Sequence, residues 1–545
     1  MEIFLISQKN SSYMKMKHLL LLALFPFSLY AQKVDSKLIN WYNGTGTGLS
    51  TDIAYSKILV GKNSKPVIVA IIDSGVDIEH EDLKGQIWIN EDEIPGNKLD
   101  DDNNGYIDDV NGWNFLGNSD GENINDVRLG EARIYAQLHE KYNTATYDSL
   151  SSEDKIEYDL YVEVSEKLEK ERAVAQKEVD DYADILKVLT ASNKKLKEHF
   201  DGDFSIKQLK KLNKKSPLYK DAKLMIRLNK FGFDYLSIKE YVNYYQDQLA
   251  YNYNPSIDPR AEVIGDDPSD FEDKNYGNNN VEGPDAGHGT HCAGIIGALR
   301  GNEIGNDGVA GNVQIMSIRA VPNGDEWDKD IALSIRYAVD NGAQVVNMSF
   351  GKEYSPYKEG VIEAIKYAEK NGVLLIHAAG NESIDIDAIK NYPTPMYPSM
   401  TDKFSNWIEV GASTRFKDPK VKKGVLKRDG LAADFSNYGA NNVDVFAPGF
   451  DIYSTIPDNK YELSDGTSMA APMVTGLAAL LKSYYPKFTM LEIREIILES
   501  VQEFKDYKIL LPGNVDKEIK FGKLCVTGGV INVYNAVLLA EKRYN

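Results

Sequence analysis

Residues 67–75 read Val-Ile-Val-Ala-Ile-Ile-Asp-Ser-Gly, an unbroken apolar run that closes on a polar turn. So short and continuous a run leaves no face for water, so it predicts a strand buried on both faces that ends in a loop at Asp73. The same form recurs at 341–351 (NGAQVVNMSFG) and 371–381 (NGVLLIHAAGN), each time after a helix-like stretch, Asp330 to Asp340 and Gly360 to Lys370. Strands alternating with helices predict an α/β fold with a mostly parallel central sheet and helices on both faces. In such sheets the polar residues at the carboxyl ends of strands build the site, which singles out Asp73, Ser349 and Asn381.

Residues 121–262 break this pattern. No Gly or Pro occurs from Glu131 to Asp201, and Lys, Glu and Leu dominate, so long helices are expected. Ser151 with Asp154, Ser205 with Gln208 and Ser237 with Glu240 have the spacing of capping boxes. Ala175, Val179, Tyr182, Leu186 and Leu189 recur at helical spacing as a packed seam. At 545 residues the chain exceeds what one core usually organises. We therefore divide it into 32–120 and 263–545, the two parts of one α/β domain, and 121–262, a helical insertion. The insertion reads equally as a solvated appendage and as a lid or an arm for a protein partner.

The formal charge of −20, from 82 acidic and 62 basic residues, is the wrong sign for neutralising phosphates and excludes nucleic acid as an expected partner. Residues 1–31 read as a signal peptide: Lys15 and Lys17 precede an apolar run from Leu19 to Leu29, and Ala31 is a small residue for cleavage. This predicts an exported protein, periplasmic or secreted, with no membrane span after signal removal. Cys292 and Cys525 are the only cysteines, so at most one disulfide is available.

The segment Gly287–Gly294, GHGTHCAG, sets His288 and His291 three residues apart with Cys292 beside them. A zinc site is disfavoured, because the Gly-Thr pair favours only a short first helical turn and no second ligand pair lies nearby. A Cys–His nucleophile is disfavoured as well: Cys292 is expected to point away from His288 and to pack in its small apolar company. The third reading places the nucleophile at Ser464–Leu481 (SDGTSMAAPMVTGLAALL). There Ser468 stands at the start of an apolar helix whose free N–H groups suit a developing oxyanion. Pro472 is tolerated in the first turn. A serine that simply caps its own helix is the plainer alternative.

The segments DSGVD (Asp73 to Asp77), HGTHCAG (His288 to Gly294), AAGN (Ala378 to Asn381) and GTSMAAP (Gly466 to Pro472), in this order, resemble the subtilisin-like serine proteases, the subtilases. The resemblance implies a serine endopeptidase acting on polypeptide substrates. Ser468 would be the nucleophile, His288 the base, Asp73 its orienter and Asn381 an oxyanion donor. Substrate would pair as an extended strand near Ser349 to Gly351 and near Asn323 to Asp325, and Ser349, Phe350, Gly351 with Ala378, Ala379, Gly380 would wall a specificity pocket whose lack of charge favours apolar side chains. Asn391 to Ser399 would form the pocket floor, and His291 would be structural. Roughly forty residues between Ala31 and Asp73 leave no room for the propeptide that subtilases commonly carry. A binding protein on a catalytically idle scaffold, using the insertion, is the competing reading; the presence of Asp73, His288, Ser468 and Asn381 weighs against it.

DDDNNGYIDD (Asp100 to Asp109) has EF-hand-like spacing in Asp100, Asp102, Asn104, the Tyr106 carbonyl and Asp108, which predicts a structural calcium and no organic cofactor. The glutamate expected at the twelfth position is missing, since Asn111 stands there. An Asx-rich turn without metal is the alternative. Asp82 with Asn302 is a weaker candidate, because the loop from Asn302 to Gly308 resembles a subtilase calcium loop.

Overall fold

The computed structural model describes residues 34–230 and 233–544, so the signal peptide read at 1–31 lies outside the described residues. One compact unit is Asp126–Asp258, and the other runs on both sides of it in sequence, up to Asn125 and again from Pro259.

The larger unit is built on a nine-stranded sheet among the described residues. Its strands are β1 (Val67–Asp73), β2 (Gly112–Asn114), β3 (Val313–Arg319), β4 (Val345–Met348), β5 (Leu374–Ala378) and β6 (Trp407–Ser413). To these are added Val445–Pro448, Gln502–Glu503 and Gly529–Val530. The spatial order is β2-β3-β1-β4-β5-β6, then Val445–Pro448, Gly529–Val530 and Gln502–Glu503. All pairings are parallel except the last. β1 is held between β3 and β4, with Asp73 opposite Arg319 and Ile72 opposite Met348. The strand order therefore reverses beside β1, and the crevice this creates lies at the carboxyl ends of β1 and β4.

The apolar run of β1 follows from its surroundings. Val69 and Ile71 join one core with Ile295 and Ile296 of the helix Gly287–Gly297 and Val474 and Leu477 of the helix Thr467–Tyr484. Ala70 and Ile72 join a second core with Ile331, Ile335 and Ile365 from the helices Asp328–Asp340 and Lys358–Lys370. Side chains alternate across a strand, so a strand covered on both sides must be apolar throughout. The helices carrying His288 and Ser468 share the first core, which brings both N-termini to bear on the same side of the sheet.

The helical unit contains Gly130–Tyr142, the 49-residue helix Ser152–Phe200, Tyr219–Asn229 and Tyr235–Asp247. The second of these is about 74 Å long at 1.5 Å per residue. Ser151 caps it by accepting from the Asp154 N–H, and Ser205 with Gln208 forms a reciprocal capping box. The third box differs from expectation. Asp234 is the cap of Tyr235–Asp247, and Ser237 answers it as third residue, so the pairing with Glu240 does not form. Of the predicted seam, Ala175 and Leu189 are buried, Leu186 packs against the cluster of Leu189, Leu196, Ala222 and Met225, and Tyr182 meets Tyr241 edge-on.

Both cysteines are free and buried, so no disulfide joins them. No helix among the described residues is long and apolar enough to cross a membrane.

Candidate active site

Asp73 ends β1, and its Oδ1 accepts two hydrogen bonds at 2.7 Å, from the Ser74 N–H and from His288 Nδ1. The close approach is made possible by Gly289, where a Cβ would lie 2.1 Å from the Gly75 carbonyl oxygen. Any larger residue would push the helix, and with it His288, away from the strand end. Asp73 is 1% exposed, whereas the His288 side chain is 40% exposed, so the pair has one end in the core and one open to a ligand. Burial opposes charging of His288, but the Asp73 carboxylate and its hydrogen bond outweigh it and hold the imidazole pKa above its ordinary value.

His291, one turn along, has the opposite fate. It is buried, its Nε2 lies 3.3 Å from the Glu462 carbonyl oxygen, and burial drives its pKa down to about 3. It stays neutral and supports packing, as its place on the helix suggested.

Two expectations for this segment are corrected. The helix runs eleven residues, Gly287–Gly297, rather than a short first turn, because its glycines and alanines pack into the core without steric cost. Cys292 does not point away from His288; four residues on, it shares the same face, and donor atoms of Asp73, His288 and Cys292 lie within 4.8 Å of one another. Neither rejected chemistry is revived by this. His288 Nδ1 is spent on Asp73 Oδ1, while Cys292 is wholly buried and donates to the Ser468 carbonyl oxygen at 3.4 Å. Burial, reinforced by the Asp73 charge, pushes its thiol well up and away from the thiolate.

Ser468 is the second residue of the helix Thr467–Tyr484, where the backbone N–H has no partner within the helix. Its Oγ donates to the Ser349 carbonyl oxygen at 3.2 Å, and no Ser468–His288 hydrogen bond is formed among the described residues. A chain of side chains fixes this turn: Thr475 donates to Asn347, Asn347 to Ser349, and Ser349 to the Ser468 carbonyl oxygen, at 3.0, 2.9 and 2.9 Å.

Asn381 stands three residues beyond β5. Its Oδ1 accepts from both the N–H and the hydroxyl of Thr467, at 2.8 and 3.1 Å. Two donors on one oxygen leave the amide no choice of orientation and turn Nδ2 outward as a donor. The preceding Gly380 has φ +100°, and a Cβ there would lie 2.4 Å from Asn437 Nδ2, so only glycine makes this turn. The hold of Thr467 on Asn381 escaped the sequence reading; its place beside Ser468 was the available signal. Arg319, also missed, is buried at the end of β3 and donates to the Ser74 carbonyl oxygen at 3.0 Å, fixing the turn after Asp73.

Ser349, Phe350 and Gly351 follow β4, and Ala378, Ala379 and Gly380 close β5. These strands are neighbours, so the two segments face a common crevice. Asn391 lies against both: its Nδ2 donates to the Ala379 carbonyl oxygen at 3.3 Å, and its Oδ1 is 3.0 Å from where a Gly351 Cβ would be.

The acidic loop is only partly as expected. Asp100 and Asp102 converge, and Asn104 Nδ2 donates to Asp102 and Asp109 at 3.0 Å. The Tyr106 ring is buried against Trp113 and Tyr337. Asp108 stands outside the group in which Asp100 and Asp102 converge. Its two carboxylate oxygens accept from the N–H groups of Gly96 and Lys98, both at 2.8 Å, because a left-handed φ of 54° turns it toward that strap. Asn111 donates to the Trp88 carbonyl oxygen instead of facing the loop. At the weaker candidate, Asn302 Nδ2 donates to Asp82 Oδ1 at 2.6 Å.

The sequence profile of the Subtilase family matches residues 64–522. A thermophilic serine proteinase of Bacillus sp. (strain AK1) is 36% identical over 269 residues, 49% of this chain and 55% of that protein. Thermitase of Thermoactinomyces vulgaris is 39% identical over 199 residues, 36% of this chain and 61% of thermitase. Subtilisin DY of Bacillus licheniformis is 34% identical over 221 residues, 40% of this chain and 72% of that protein. The match thus spans between half and two thirds of the length of the first two relatives.

Proposed function

Because the chain belongs to the subtilase family, we propose that it is a serine endopeptidase in which Ser468, His288 and Asp73 act in sequence on a peptide bond. Ser468 Oγ attacks the scissile carbonyl carbon while His288 Nε2 removes its proton and later delivers it to the leaving amine. Asp73 holds the Nδ1–H tautomer and stabilises the imidazolium. The hydroxyl has to leave the Ser349 carbonyl for His288 when substrate binds, in keeping with catalytic hydrogen bonds that tighten only in the complex. Asn381 Nδ2 and the Ser468 N–H bind the oxyanion, already aimed before charge develops. Substrate adds as an extended strand along Ser349–Gly351, with an uncharged side chain entering between the two walls that Asn391 spans.

The observation that carries the reading is the buried Asp73 carboxylate at 2.7 Å from the Nδ1 of a half-open histidine. Since the His288 pKa is raised, the neutral base is available only above that raised value, so turnover should fall as pH drops through a point above 6.5. The same reading takes residues 1–31 as an export signal.

Treatment with a fluorophosphonate should label Ser468 and no other serine. Ser468→Ala should abolish labelling and lower turnover by on the order of 10⁶-fold with the fold intact. Full activity in Ser468→Ala, free of wild-type protease, would overturn the mechanism.

A further inference from the structure

Residues 415–429 carry seven basic and two acidic side chains, in a chain whose formal charge is −20. They form a separate two-stranded hairpin, Lys420–Lys422 with Val425–Arg428, turned at Lys423 and Gly424. The φ values there, 54° and 69°, suit a tight turn that favours Asn-Gly or Asp-Gly, so a lysine stands where a less strained residue fits. Lys420 faces Arg428 directly across the pair, an arrangement that repels. Arg415 pairs with Asp451 at 2.8 Å, but no ion pair among the described residues reaches Lys420, Lys422, Lys423 or Lys427, and all four are exposed. The two acidic members serve other groups. Asp418 Oδ1 accepts from the Tyr507 hydroxyl at 2.6 Å, and Asp429 Oδ2 accepts the Asp434 N–H at 3.0 Å.

The hairpin leaves β6 at its carboxyl end, and β6 is the parallel neighbour of β5, past which Asn381 stands. The chain returns through 431–437 and grips the residues on both sides of Asn381. Asn437 Nδ2 donates to the Ala379 carbonyl oxygen at 2.8 Å, its Oδ1 accepts the Glu382 N–H at 3.0 Å, and the Phe435 carbonyl oxygen accepts the Ser383 N–H at 2.9 Å. In the order β4-β5-β6 the hairpin lies across β5 from Ser349–Gly351, so it flanks the leaving half of a substrate whose acyl half pairs there. Resting on the peptidase reading above, we propose that Lys420, Lys422, Lys423 and Lys427 bind an acidic stretch of a polypeptide substrate on the carboxyl side of the scissile bond. The chain as a whole is acidic and repels such a stretch, so a cationic hairpin at the cleft both attracts it and fixes where it lies. A bilayer surface fits less well. Interfacial elements set large apolar side chains beside their cations, whereas the turn here is Lys423-Gly424 and Val421 is the one large apolar residue that the hairpin exposes.

The test uses the full chain and two peptides with one shared cleavable core, followed in one by a run of glutamates and in the other by a run of glutamines. Wild type should show a kcat/KM about tenfold higher for the glutamate peptide, and the preference should shrink toward unity at about 0.5 M salt. Combining Lys420→Gln, Lys422→Gln, Lys423→Gln and Lys427→Gln should abolish it. Lys422→Gln with Lys427→Gln, which keeps the turn and the Lys420–Arg428 pair as they are, should reduce it in the same direction and guards against a variant that folds poorly. Lys207→Gln, Lys210→Gln, Lys211→Gln and Lys214→Gln, combined, change four exposed lysines of the helical unit and should keep the preference. Binding of the glutamate peptide to Ser468→Ala, read by fluorescence anisotropy, involves no hydrolysis. A chain that binds it through the hairpin yet cleaves neither peptide loses the peptidase reading and keeps the surface. If wild type shows no preference, if the preference survives loss of the four hairpin lysines, or if the helical-unit control loses it equally, the hairpin is only a solvated projection. Sedimentation with phosphatidylglycerol vesicles that depends on the four lysines, without a glutamate preference, would assign the hairpin to lipid and overturn the proposal.

Discussion

The α/β unit and the helical unit bury their apolar residues in different ways. Every second residue of β1 enters one core and the alternate residues enter another, so the strand has no free face along its length. The helix Ser152–Phe200 buries only Val164, Leu168, Ala175, Leu189, Ser192 and Leu196 along 49 residues. A segment enclosed on both sides can present polar chemistry only where it stops. Asp73, Ser349 and Asn381 accordingly cluster at or just past strand ends. A helix with one narrow buried stripe leaves most positions to solvent, where substitutions are individually cheap. The α/β unit therefore concentrates consequence in a few residues, and the helical unit spreads it thinly.

The sharpest way to break this contrast is at a strand end. Asn381→Ala should lower kcat by about 10²–10³ through loss of a transition-state donor, and should also lower the melting temperature, since the Thr467 N–H and hydroxyl lose their acceptor. Thr467→Val, which removes one of the two donors orienting Asn381, should cost about tenfold. Steady-state kinetics on a short peptide separate these from a KM effect, and an unchanged kcat in Asn381→Ala would remove it from the oxyanion site.

A smaller effect is expected from the helical unit, at one of its few enclosed positions. Leu189 is fully buried, and Leu189→Ala should destabilise its unit by about 2–3 kcal/mol. Hydrogen exchange would show faster exchange in Ser152–Phe200 and Tyr219–Asn229, while the rate of fluorophosphonate labelling at Ser468 holds. Labelling that slows in step with exchange would mean that the two units do not open separately.

Close to neutral pH, the smallest effect lies within one helix of the α/β unit. His291 has a folded pKa near 3 against about 6.5 when unfolded, so below pH 6.5 the unfolded chain takes up the proton first. Stability should fall with decreasing pH from about 6.5 toward 3, by at most about 1.4 kcal/mol per pH unit. His291→Gln, which keeps a donor toward the Glu462 carbonyl, should flatten that slope in thermal melts. It should leave the pH profile of turnover, set by His288, in place. A slope unchanged by the substitution would assign the acid sensitivity elsewhere.

Much of the fold was legible because its signals are local. The run 67–73 and the segments 341–351 and 371–381 became β1, β4 and β5 with the helices that precede β4 and β5, and those helices begin two residues earlier than read. Asp73 and His288 were legible through short motifs, and the structure brings the pair together across 215 residues of sequence. Cys292 was misjudged because its direction was reasoned from its neighbour His291, whereas the residue it meets lies one full turn back at His288. The Ser237 cap was misjudged because the helix starts three residues earlier, with Asp234 at the cap and Ser237 answering it as third residue.

What the sequence determined by itself is whatever depends on residues two to four positions apart: strands that must be apolar throughout, helices with a stripe, a serine at a helix start, an acidic turn. Only the tertiary structure decided that Thr467 clamps the Asn381 amide across 86 residues, that Arg319 steadies the Asp73 turn, and that Glu93 joins Asp100 and Asp102 while Asp108 leaves them. Hydrogen-bond direction and the convergence of charges are set by which distant backbone groups come within about 3 Å, and neighbouring residues along the chain do not encode that distance.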